Sequence, residues 1–301
     1  MKTLGVLIKR NTKMFFKDKG IFFSSMATPL ILLVLYVAFL KNVYRGSFLQ
    51  ILGGLAPDFA VEDKTVNALV GGQLVSSLLA VCCVTVSFCS NMLSVQDKAN
   101  SVRKDFSVAP VKGSTLACAY FLSSFLSSLM VAFTALALGL VYLAAVGWTL
   151  QITDIFGLIF DIILLVGFGT GLSSIVSYFL SSQGQISAVG TIVSSSYGFI
   201  SGAYMPISQF GAGLQTAVSF FPGTYGTALL RTHTINGALA KLSEQGLSDS
   251  VVQELSKSFD CNVYFFSNAV PTWAAYAVLG GCVALLLGIY VLMYLIKKQG
   301  K

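Results

Sequence analysis

Charge is what this 301-residue sequence has least of: Asp, Glu, Lys and Arg make up 10% of it, where a soluble domain carries roughly 25%. A water-soluble fold of this make-up would lack the polar surface to cover itself. Histidine is nearly absent too. The single one, His233, has no company for a Ser-His-Asp triad and cannot build a multi-histidine metal site, so neither catalysis nor a metal is expected. The six cysteines include no C-x-x-C pair of the kind that holds zinc. Only Cys261 falls in an expected external loop; with no second cysteine there, it reads as a small packed residue. No G-x-x-x-x-G-K-S/T loop occurs, so the chain does not cradle nucleotide phosphates in the usual way. The net charge of +7 and pI near 9.1 do not signal nucleic acid, because the basic residues are neither clustered nor interleaved with aromatics.

What is abundant is apolar sequence, 55% of residues, gathered into blocks of about 20, the length a helix needs to cross hydrocarbon. Six spans are expected, at Ile21 to Leu40, Ala68 to Leu93, Thr115 to Val146, Ile155 to Leu180, Ile186 to Ile207 and Thr272 to Ile296. The fold class is therefore all-α integral membrane. Lys and Arg near span ends resist translocation. Thirteen of the 19 basic residues gather before the first span, between the second and third, and after the last. Nine of the 12 acids fall on the other side. This places both ends in the cytoplasm. The stretch before the first span lacks the form of a signal peptide.

The connecting segments divide the chain further. Residues 1–20 read as an amphipathic interfacial helix, with Leu4, Leu7, Ile8, Met14 and Phe15 on one face and Lys2, Lys9, Arg10, Lys13 and Lys17 opposite. Spans one to five occupy 21–208, interrupted by a charged cytoplasmic loop, 96–113, with helical character up to Val108 and a stop at Pro110. Residues 209–231 are semi-apolar but broken by Gly211, Gly213, Pro222, Gly223 and Gly226. Such a segment reads as a re-entrant pair of short helices, with Arg231 marking the return to the outer interface. A small external insert follows at 232–271, its best helix starting at Ser250 with Gln253 completing a capping box. The sixth span covers 272–296, and a cytoplasmic tail 297–301.

Inside the spans, Asp161 is the only acid well within a block, and such groups are functional candidates by default. Hydroxyls recur at helical spacing, and Gly167 with Gly171 forms a G-x-x-x-G pair; both patterns suit close helix packing. Ser87, Asn91, Ser194 and Tyr197 join Asp161 as candidates for a pathway or an interface.

The layout, with Ser201-Gly202 and Met205-Pro206-Ile207 ending the fifth span and Phe221-Pro222-Gly223-Thr224-Tyr225 leading to Leu229-Leu230-Arg231, resembles the permease subunits of type 2 ABC exporters. In that family Asn often precedes the Pro, where this chain has Phe221. The resemblance implies a second permease copy or homologue and two cytoplasmic ABC ATPase subunits. Those subunits, not this chain, would bind ATP and Mg, so the chain itself is not an enzyme. It implies that the 96–113 loop is the coupling helix, with Asp97, Arg103, Lys104 and Phe106 facing the ATPase. It makes 1–20 the connecting helix, with Lys9, Arg10, Lys13 and Phe15, and gives Pro222, Tyr225 and Arg231 to the re-entrant region. The path would run along the second and fifth spans of a plasma or inner membrane, bacterial, with membrane lipids as further partners. The expected cargo is drug-like, peptide or amphiphilic, with glycan or lipid export as the alternative; a secondary transporter or channel working without ATP is the competing class.

Overall fold

The computed structural model describes residues 2–102, 111–266 and 268–299. Helix dominates. The first element, α1 (Lys2–Lys17), is followed by α2 (Lys19–Leu35), which runs through a single π turn (Tyr36–Leu40) into α3 (Lys41–Leu55). Next come α4 (Asp63–Ala99), α5 (Gly113–Val146), α6 (Ile152–Phe179) and α7 (Gln183–Ile200). Short α8 (Ala212–Ser219), long α9 (Pro222–Glu244) and α10 (Asp249–Ser258) precede a two-stranded hairpin, β1 (Tyr264–Phe265) with β2 (Asn268–Ala269), and the last helix, α11 (Thr272–Gln299).

Five of these are long and apolar enough to cross a membrane: the continuous helix Lys19–Leu55, α4, α5, α6 and α11. The expected fifth span is not among them. In α7, Gln183, Gln185 and the serines at 187 and 194–196 dilute the apolar residues, and the helix stops at Ile200. The chain then turns through Gly202 at φ 74°, a left-handed conformation that glycine adopts without strain. Met205, Pro206 and Ile207 therefore lie beyond the helix. Exposed Trp148, just past α5, and exposed Trp273, at the start of α11, mark the end opposite the lysine-rich one, as an interfacial aromatic belt would.

At the centre stands α4, whose most apolar stretch is wholly buried by the rest of the chain. The other helices pack around it, α5, α6, α9, α7 and α2 among them. Between apolar helices the attraction comes from packing and interhelical hydrogen bonds, which small residues allow. Two glycines show how close the approach is. A Cβ at Gly72 of α4 would sit 2.5 Å from the Thr234 carbonyl oxygen of α9, and one at Gly171 of α6 would sit 2.8 Å from Leu286 of α11. Gly171→Leu is expected to push α6 from α11 and cost about 1–3 kcal/mol, read as a lower melting temperature of the purified protein. Gly281→Leu, on α11 with nothing within 4 Å, is the control and should melt as the parent does.

The region after α7 departs most from expectation. Only α8 is a short helix; α9 runs on thirteen residues past Arg231, to Glu244, absorbing the first third of the expected external insert. The next helix, α10, begins at Asp249, one residue before Ser250, with Ser248 as its N-cap and no side-chain cap bond, so the expected capping box is absent. Its apolar face is as read: Leu255 and Phe259 are buried, with Val251 and Val252 packed beside them, against α9 and α3.

Candidate functional site

The lysine-rich end of the bundle carries a cluster built from three elements. An Asp18 N-cap, whose carboxylate accepts from the Ile21 amide at 3.1 Å, breaks α1 from α2 and lets α1 fold back across the bundle. Leu7, Asn11 and Phe15, one turn apart, form its buried edge. Leu7 packs with Leu116, Tyr120 and Tyr294 from α5 and α11. Met14, expected on this apolar face, is instead partly exposed. Lys9 and Lys13 are exposed, while Arg10 on the same polar side turns inward.

Arg10 meets Asp97, in the last turn of α4, through Nη1 at 2.6 Å and Nη2 at 3.2 Å. This two-pronged fork on a carboxylate is the strong form of an ion pair. The Tyr120 hydroxyl donates to the same Asp97 oxygen that takes Nη1, at 2.7 Å. Asp97 is almost wholly buried, and its hydrogen bond raises the Arg10 pKa above the ordinary value, against the opposing effect of burial. The neighbouring residue points the other way. Lys98 donates to the carbonyls of Ser177, Tyr178 and Leu180 at 2.6, 2.7 and 3.0 Å, capping the C-terminal end of α6 where partial negative charge collects. Two consecutive residues of α4 thus tie its C-terminal end to α1 and α5 on one side and to α6 on the other.

Arg103, Lys104 and Phe106, expected on the coupling helix, lie outside the described residues. Of the 96–113 loop, residues 96–99 belong to α4 itself.

Deeper in the bundle, Ser87 and Asn91 are fully buried in a polar seam. Ser87 donates to the Cys83 carbonyl at 2.8 Å and lies 3.3 Å from the Thr170 hydroxyl. The Asn91 amide nitrogen donates to the hydroxyls of Ser173 and Ser174, and its oxygen accepts from Ser124. These groups bind α4 to α5 and α6 within the chain. Because α4 is enclosed, a path along its surface is not available in this conformation; among the two spans expected to line one, only α7 has an open face. That face carries Ser187, Thr191, Ile192, Ser195 and Phe199, with Ser194 half-buried at its edge. Tyr197 points inward and donates to the Gly223 carbonyl at 3.2 Å, joining α7 to the start of α9.

At the far end, α9 is held by two polar clusters. Asp161 of α6 is fully buried, 2.7 Å from Nδ1 of His233 and accepting from the Tyr276 hydroxyl at 2.9 Å. It links α6, α9 and α11. Arg231, expected to mark the return to the outer interface, is buried in mid-helix. Its Nη2 donates to the Gly202 carbonyl at 2.8 Å, and its Nη1 reaches Asp260 at 3.3 Å. Asp260 also accepts from the amides of Ile207 and Ser208. Burial raises its pKa, with Arg231 and those amides pulling the other way. Pro222 opens α9 in its first turn, and Tyr225 donates to the Ser219 carbonyl at 2.8 Å, pinning α9 to α8. Cys261 is buried beside this cluster, as expected of a packed residue, and burial pushes its thiol up to about 12.

Sequence reading missed Lys98, Tyr120 and Asp260. The one local signal was the acid-base doublet Asp97-Lys98 closing an apolar helix; the other partners are joined only by the fold.

No curated protein matches the chain. The family profile of the ABC-2 type transporter matches residues 2–233, from α1 through the ties at Asp97 and Lys98 to His233 in α9. The chain belongs to the ABC-2 type transporter family and is a membrane protein, the permease subunit of an ABC transporter.

Proposed function

We propose that the chain is the permease of an ATP-driven exporter, working as one of two permeases with two cytoplasmic ATPase subunits that bind ATP and Mg. The single observation that carries the coupling part of this reading is the Arg10–Asp97–Tyr120 cluster. It joins α1 to the helix end that leads directly into residues 103–110, so a push on either element is delivered to both. In this reading α1 lies along the inner leaflet, with Lys9 and Lys13 toward the ATPase. The segment 96–113 is the coupling element, α7 is a sixth, shorter span, and α8 with the start of α9 re-enters the membrane from outside.

Closure of the ATPase pair would press on α1 and on 96–113 together. Lys98 would pass that displacement to α6 through its three carbonyl contacts, and the bundle would rock as a unit about α4. The cargo would move along the open face of α7, where hydroxyls alternate with Ile192 and Phe199. Such a mixed surface suits a drug-like, peptide or amphiphilic substrate better than a strongly polar glycan. The membrane is the cell's inner or plasma membrane, with both termini inside.

Charge reversal at Arg103 combined with Phe106→Ala tests the coupling reading in the reconstituted complex. Stimulated ATP hydrolysis and transport should both fall at least about tenfold, a loss of about 1.4 kcal/mol or more in coupling, while the ATPase subunits still co-purify. Unchanged hydrolysis and transport would remove 96–113 from the coupling role. Transport by the permease alone, with no ATPase bound, would remove the ATP-driven reading altogether.

A further inference from the structure

The outer region has a half-open cavity of about 470 Å³ between α8, α9, α10 and the β hairpin, within the size range of small-molecule sites. Its floor holds Arg231, buried to 1% exposure, and its rim holds Lys257. Asp260, the acid that lines it, is already committed: one carboxylate oxygen accepts from the Ser208 amide and the other from the Ile207 amide and Arg231. Both terminal nitrogens of the Arg231 guanidinium are used as well, on Asp260, Gly202 and Ser77. Its Nε–H has no acceptor among the described residues, and a buried donor is costly to leave unmade. Lys257 lies over the Tyr264 ring at 5.7 Å and reaches Glu254 only at 4.0 Å, both side chains about half exposed, so its charge is weakly compensated.

The cavity therefore has one surplus positive charge, one buried N–H donor, and an apolar wall that includes Val218, Ala228 and Val263. We propose that it is a binding site for a small amphipathic carboxylate: the anionic end at Lys257, over the buried Arg231 guanidinium, the aromatic or branched body against Val218, Ala228 and Phe266. A single carboxylate matches the single surplus charge, and the described lining offers no further cation for a dianion. The site lies within one chain and stands independently of the coupling reading.

The test uses the full chain with its ATPase partner in nanodiscs, titrated calorimetrically with N-acetylphenylalanine and, in parallel, N-acetylphenylalaninamide. The two differ only in the charge at the carboxyl end. The acid should bind at least about tenfold more tightly, the 1.4 kcal/mol scale of one well-placed charge. Lys257→Gln, a rim change that leaves the buried cluster intact, should remove most of that preference. Thr216→Trp, placed to fill the cavity from α8, should abolish binding of both compounds with the melting temperature retained. Absence of acid binding, equal binding of acid and amide, or binding that survives Thr216→Trp would each overturn the proposal.

Discussion

Arg231→Ala is expected to leave the protein unable to hold its outer end together, with a loss of about 3–5 kcal/mol, the range for breaking one side of a buried ion pair. A domain's whole net stability is about 5–15 kcal/mol, so the variant should melt far below the parent and yield little intact complex. The reason lies in what is left behind. Asp260 would keep its carboxylate, 8% exposed, with two amide donors but no cation. The Gly202 carbonyl would lose its 2.8 Å donor at the turn that ends α7. The double variant Arg231→Met with Asp260→Asn separates lost charge compensation from lost packing. Asp260 sits at φ 51°, a left-handed conformation that Asn tolerates, and an Asn oxygen can still accept from a backbone amide. The double variant should recover more than half of the melting temperature lost. A single variant that melts within about 1 °C of the parent, less than the roughly 1.6 °C that 1 kcal/mol corresponds to at about 2.1 cal/mol/K per residue over 301 residues, would show that the pair is not structural.

The second large effect is expected at Asp97. Asp97→Ala removes the shared acceptor of Arg10 and Tyr120 at once, so α1 loses its tie to α4 while its apolar edge stays packed. Transport by the reconstituted complex should fall at least about tenfold, the rate equivalent of about 1.4 kcal/mol, with the ATPase subunits still bound. Arg10→Ala should show much the same loss, and the double variant little more than either alone. A coupling energy of about 0.5–3 kcal/mol between the two is the mark of a shared contact. Additive losses would mean that the two residues act through separate partners.

The bundle was legible where physics is local. Five of the six apolar blocks became helices long enough to cross a membrane, although Lys19–Leu55 and α4 run well past the stretches expected, and Gly167 with Gly171 marked a close helix contact, which the fold gives to α11. Cys261 was read as packed and is. Burial that depends on a partner far along the chain was not legible. Arg231 read as an interface marker because its counter-ion stands 29 residues later, in a loop. Thr232 to Glu244 read as an external insert because its polar residues are individually water-compatible. In the fold, Thr234 bonds back to its own helix at the Leu230 carbonyl, and Gly72 admits the α9 backbone against α4. Asn91, a candidate for either a pathway or an interface, bonds serines on α5 and α6, partners that no local pattern names. Asp161 and His233 were each noticed, but 72 residues of separation hid their pairing.

The enclosed central helix has a mechanical consequence. At 37 residues, α4 is a rod of about 55 Å, from a rise of about 1.5 Å per residue, and it contains no proline to kink it. Its inner end is gripped through Asp97 and Lys98, and near its outer end the Thr65 hydroxyl accepts from the Gln245 amide, just past the end of α9. A tilt of about 5° about the inner end carries the outer end through about 5 Å at that length. That distance is close to one helical turn. Small movements at the Asp97–Lys98 end are thereby enlarged at the Thr65 end by leverage, without any helix having to bend or unwind.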